Sequence, residues 1–383
     1  MTDDTSGTLD EALQRLHAAG PEREGWLSNH APMAVEALVR HGQERTVHRW
    51  LDRYRHKLEE MPGSYARITG ENWREALGDP RHLADWPAYF DRKLSDRPWR
   101  DVLAVWWPRL LPGIAGGATH PVIRVGHAVR TLLDDPDGTT APRTAELAHA
   151  LGYWAARHAP LPPLAQLPGP ASGSAADALA AVEPIADKSG GIRERLPRLT
   201  ALPVWPPSVR TAPPTAQAPG HGPADRPEDA RRPEETEARR PEEARRRLVE
   251  LVRAATHRYA THGHGEPVML VHVATAPNAV LRVLPALPRE LWAPSLDAAW
   301  AASAAVTAVY APSEPLPADR LPSAAGVTPE EVFARAAAHG DEHAIKLTDT
   351  ALDVARGARG ARGTDATALA AALHACALID PAF

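Results

Sequence analysis

The stretch Asp341-Glu-His-Ala-Ile-Lys-Leu-Thr348 holds the most unusual chemical pairing in the chain. On a helix, His343 and Lys346 stand three residues apart and share a face. A neutral imidazole offers a metal a nitrogen lone pair, whereas a lysine offers one only after its ammonium has lost a proton. Burial promotes that loss, because desolvation disfavours the charged form. The neutral amine then binds metal or reacts with carbon dioxide to give a carbamate, a carboxylate on a long arm. The competing reading places Lys346 at the surface, paired with Glu342 or Asp349.

Three other segments supply imidazoles: Asn29-His30-Ala-Pro-Met33, Thr119-His120-Pro-Val-Ile-Arg124 and His272-Val-Ala-Thr275. Asn29 suits a helix cap with Pro32 in the first turn, which leaves His30 near a helix start. His120, Arg124 and His127 lie four and seven apart on one stripe of an otherwise small and apolar helix, so their polar groups need partners. Arg124 is expected to pair with an acid. His127 reads either as a donor behind the ligands or as a further imidazole ligand, and the alternative for all three is exposure to solvent. His272 has apolar neighbours on both sides and must be satisfied inside, with Pro277 kinking its helix one turn later. His262-Gly-His264 looks like a metal motif but reads more simply as a polar, glycine-rich helix end.

The elements that would position these side chains are helical. Leu9, Leu13 and Leu16; Val47, Trp50, Leu51 and Tyr54; and Leu248, Leu251, Val252, Ala255 and Tyr259 all keep helical spacing. Hydrophobic residues make up 44% of the 383, enough for a buried core, while aromatics are only 5% and include 11 tryptophans. The aromatic run Trp73, Trp86, Tyr89 and Phe90 reads as core packing, with a wall for a flat ligand as the alternative. The expected fold is all-α, a single large multi-helix domain. Residues 1–205 form one helical half and 244–383 the other, packed on it. Between them, 206–243 repeats proline and charge blocks such as Arg240-Pro-Glu-Glu and reads as a flexible insertion.

The net charge of -5 and pI near 6.4 leave no basic surplus for a phosphate backbone, so nucleic acid is not an expected partner. The acidic start, Met1-Thr-Asp-Asp, lacks a secretory pattern, and the longest uncharged apolar run, Ala298 to Ala311, is too short for a bilayer. Cys376 is the only cysteine, which excludes a thiolate metal cage. These features together point to the cytoplasm. Neither a dinucleotide fingerprint nor a P-loop is visible.

In order and spacing, the segments around His30, His120, His272 and His343 resemble the questin oxidase-like proteins. That resemblance implies an oxygenase, of Baeyer–Villiger or ring-cleaving type, that uses O2 on an aromatic polyketide or anthraquinone. It also implies a metal bound by His30, His120, His272, His343 and a carboxylated Lys346, with NADPH as an external reductant; Lys346, Arg124 and His127 are the expected catalytic residues. Four imidazoles and a carbamate oxygen suit Fe(II), with zinc or manganese as alternatives, and leave one octahedral position open. A zinc-bound water would instead make the protein a hydrolase or lyase, and without metal it would be a helical binding protein.

Overall fold

The structure, a computed structural model, describes residues 5–136, 139–206, 233–357 and 365–382. Among the described residues it is all-α apart from two minimal sheets. Glu22–Arg23 pairs antiparallel with Leu27–Ser28, and Ala165–Leu167 pairs parallel with Ala201–Pro203. Four helices matter most here: Ala31–Arg40, His120–Asp134, His272–Val283 and Glu342–Gly357. Each begins at or beside one of the histidines above, so we refer to them by those residues.

Two apolar cores hold the molecule. One gathers the tryptophan-rich helices Asp85–Asp96 and Trp99–Leu110 with the His120 and His272 helices and Trp292–Tyr310. The other joins chain ends: Leu13, Leu38 and Trp50 from the first helices meet Phe333, Ile345, Leu352 and Leu369 from the last. The His343 helix belongs to both, with Leu347 turned to one and Ile345 and Ala351 to the other. Its start is set locally. Gly340 ends helix Pro329–His339 at a φ of 80°, and the Asp341 carboxylate then accepts from the backbone N–H groups of His343 and Ala344 at 2.8 and 3.1 Å.

Trp106 meets Trp86, Tyr89 and Phe90 edge to face with ring centroids 4.9–5.5 Å apart, a core arrangement away from the cavity that the histidines line. Of the expected insertion, residues 207–232 lie outside the described residues. From Pro233 the chain is helical to His262. The charge blocks act within that helix, where Glu243 accepts from Arg246 and Arg247 one turn on. The stretch Pro267–Ala286 is long and apolar enough to cross a membrane, yet 72% of its apolar window is buried inside the protein. Its apolarity is that of a central core helix.

The His120 and His272 helices cross at a glycine. A Cβ placed on Gly126 would stand 2.5 Å from the Ala279 Cβ, so only glycine allows this approach. Gly126→Val is therefore expected to force the two helices apart and to cost about 1–3 kcal/mol in a urea titration. An unchanged midpoint would show that the crossing relaxes freely.

Candidate metal centre

Four helix starts converge. His30 occupies the N-cap position of its helix, His120 and His272 are first residues, and His343 is the second residue of its own. The positive ends of four helix dipoles therefore face one place, which disfavours imidazolium and favours an anion there. The rings pack as one group: His30 stacks on His120 with centroids 4.4 Å apart, His343 stands edge-on to His30 at 4.5 Å, and His272 stands edge-on to His120 at 4.4 Å. Ligand atoms of His30, His120 and His343 lie within 4.8 Å of one another.

The hydrogen bonds set the tautomers. His120 Nδ1 lies 2.6 Å from the Gly117 carbonyl, and His272 Nδ1 lies 2.9 Å from the Met269 carbonyl, each three residues back. A carbonyl only accepts, so both Nδ1 atoms carry the proton and both Nε2 atoms carry a lone pair. Those two Nε2 atoms face each other at 2.8 Å. Two lone pairs at that separation repel unless a cation lies against both. The other two rings have carboxylates behind them: Glu342 Oε1 is 3.6 Å from His30 Nδ1, and Asp341 Oδ1 is 3.5 Å from His343 Nδ1. Neither Nδ1 has a hydrogen-bond partner, and neither does the buried Lys346 Nζ. The facing Nε2 atoms of His120 and His272 and the unpartnered Lys346 Nζ, without sulfur, fit a divalent transition metal.

The segment before His120 is strained to deliver it. Gly117, Ala118 and Thr119 take φ values of 55°, 54° and 66° in succession, a left-handed run that ordinary residues avoid. It turns the Gly117 carbonyl back onto the His120 ring. His272 is placed by a simpler break, where Val271 separates Pro267–Leu270 from the helix proper.

Burial keeps three of the imidazoles neutral. It is the largest cause holding His30, His120 and His272 well below the usual 6.5, with the Lys346 charge and the neighbouring histidines adding to it. Burial also brings Lys346 down from 10.5 to about 8, against the opposing pull of Glu342 and Asp341. Below 6.5 the unfolded histidines bind protons that the folded ones refuse, so stability rises with pH in that window. Metal-free protein is expected to lose stability as pH falls through about 6.5, before the window from 4.5 down to about 2 in which Glu36 protonates. Urea midpoints from pH 8 to pH 5 test this, and a flat profile would rule out a neutral cluster.

Arg124 and His127 lie elsewhere. Arg124 is bound to Glu146 through Nε and Nη2 at 2.6 and 2.8 Å, and Glu146 also meets His17. His127 donates through Nδ1 to Glu36 at 2.6 Å. Glu36, His127 and Asp349 also have the spacing of a metal site. Arg130 already bonds both carboxylates, so their charge is compensated without an ion. Asp341, Glu36 and Arg130 carry no local signal of these roles, and Glu342 and Asp349 pair with Lys57, Arg130 and Arg282 rather than with Lys346 at a surface. Acids in a first helical turn are ordinary, and their partners come from distant helices.

A cavity of about 650 Å³ opens onto the cluster. His30, His120, His343 and Glu342 line its inner end, while Leu27, Ile192, Leu196, Met269 and Tyr310 make much of the remainder apolar. His272 and Lys346 lie behind that end, 0% and 1% exposed. Residues 27–135 match the questin oxidase-like family. The match supports the resemblance over the stretch that carries His30, Gly117 and His120, and it ends before His272, His343 and Lys346. The questin oxidase-like name is that of an oxidase or oxygenase. No curated protein matches the chain.

Proposed function

We propose that this protein is a metal-dependent oxygenase, with non-haem Fe(II), that oxidises and cleaves a ring of an aromatic polyketide of the anthraquinone type using O2. One observation carries the metal: the lone pairs of His120 and His272 face each other at 2.8 Å with both Nδ1 protons committed elsewhere. The family supplies the reaction class, and the apolar cavity supplies room for a flat polycyclic substrate. His30, His120, His272, His343 and Lys346 would hold the ion, and a bound iron would supply the one-electron chemistry that O2 requires.

The chain's own groups have definable tasks. Gly117 and Met269 lock two ring orientations through their carbonyls, and Glu342 and Asp341 stand behind the other two rings. The apolar walls exclude water from an electron-rich substrate. Glu342 is itself held by Lys57, whose ammonium donates to both carboxylate oxygens at 3.1 and 3.2 Å. Lys346 is the site of carbamate formation: its neutral amine adds to CO2 and releases one proton. The positive helix ends favour the resulting anion.

Metal quantification combined with oxygen uptake on reduced anthraquinones tests the reading. One iron per chain and substrate-dependent oxygen consumption are expected. Zinc without oxygen uptake would replace it with a hydrolase or lyase on the same side chains. For Lys346, a carbamate carbon signal should appear after incubation with labelled bicarbonate and grow as pH rises through about 8, where the amine is neutral. Its persistence in Lys346→Arg would assign the signal to another amine.

A further inference from the structure

Three arginines line the cavity, and two are already committed. Arg23 is paired with Glu24, and Arg157 with Glu22 through Nε at 2.7 Å and through Nη2. Arg193 differs. Among the described residues no carboxylate pairs with it, and its guanidinium carbon stands 5.3 Å from the centre of the Trp26 ring. Trp26 follows the tip of the Glu22–Ser28 hairpin and is 45% exposed, an unusual setting for the largest apolar side chain unless something covers it. Val268, across the same opening, is 36% exposed. The histidines at the inner end are 5–8% exposed, so the cavity has a buried end that carries the imidazoles and an open end that carries a cation on an aromatic plate.

Resting on the reading of this cavity as an aromatic substrate site, we propose that Arg193 and Trp26 select polycyclic aromatic carboxylates, bound with the acid group outward. A guanidinium matches a carboxylate in a planar, two-point fashion, and stacking on Trp26 restricts it to few orientations. The ring attached to the acid then lies beside Trp26, and the far ring reaches His30, His120 and His343. Bound substrate would cover Trp26 and Val268, which explains why a tryptophan at the cavity mouth is left half in water.

Calorimetric titration of the protein as purified with anthraquinone carboxylate, and with the matching hydroxymethyl anthraquinone, tests this directly. Wild type should bind the acid about tenfold more tightly than the neutral compound, a modest preference because Arg193 is exposed and screened. Raising the salt should shrink it. Arg193→Gln should bind the two compounds equally while leaving the neutral affinity unchanged, and Arg193→Lys should restore part of the difference. Equal affinities in wild type, no binding of either compound, or a preference that survives Arg193→Gln would each overturn the proposal. Metal is quantified on the same samples. Its absence would overturn the oxygenase reading alone, whereas equal affinities in metal-loaded protein would overturn charge selection alone.

Discussion

His272→Ala is expected to leave a folded protein whose metal affinity is lower by on the order of a hundredfold or more. His272 is fully buried, its Nε2 is aimed at His120 Nε2, and its Nδ1 proton is tied to a backbone carbonyl, so no other acceptor orientation is open to it. Removing the ring deletes a ligand and frees its partner to turn. The effect on the metal-free protein should be smaller than for an ordinary core truncation of about 2–5 kcal/mol, because the facing lone pairs also disappear. Two measurements separate these terms: metal content after competition with a chelator, and the thermal midpoint with and without that chelator. Wild type should lose stability when metal is withdrawn, as expected for a ligand that binds only the folded state, and His272→Ala should not respond. His48→Ala, at an exposed ring near Glu11, serves as the unaffected control. A His272→Ala protein that keeps its full metal content would sink the centre as described.

Asp349→Ala should be the most destabilising single substitution among the charged residues, by about 3–5 kcal/mol. The Asp349 carboxylate has no exposure, and it accepts from Arg130 at 3.0 and 3.1 Å, Arg282 at 2.7 Å and His41 at 2.9 Å. Burial alone would raise its pKa, yet the two guanidinium groups hold it well below the usual range. Truncation leaves two buried cations short of a counter-charge. Asp52, paired with Arg15 in solvent, makes the contrast, since Asp52→Ala should change stability by no more than about 0.5 kcal/mol. Equal costs at the two positions in urea would show that the buried network contributes nothing special.

That network also bears on the metal. Glu36, His127 and Arg130, Arg282, and Asp349 lie on the His30, His120, His272 and His343 helices in turn, about two to three turns beyond the histidines on a helix of 3.6 residues per turn. The ion pairs tie together the four helices that bring the imidazoles to one point. His127 therefore belongs to the frame of the site, and the stripe His120, Arg124 and His127 divides into one ring in the histidine cluster and two side chains in separate ion pairs.

Much of the helical architecture was written in the sequence, because helical periodicity, prolines in first turns and a glycine after His339 are local signals that neighbouring residues impose on one another. The all-α class follows from them. Asp341 and Glu342 were legible as acids at a helix start, but not as groups behind His343 and His30, since Glu342 meets a ring more than three hundred positions away. The exposed look of Arg240-Pro-Glu-Glu concealed a helix whose charges pair one turn apart. Which imidazoles meet, which carbonyls orient them, and which arginine at the cavity mouth lacks an acid were decided only by the fold. Each depends on the relative placement of helices far apart in the chain, and that placement is set by close approaches such as Gly126 on Ala279 and by buried ion pairs that no local pattern encodes.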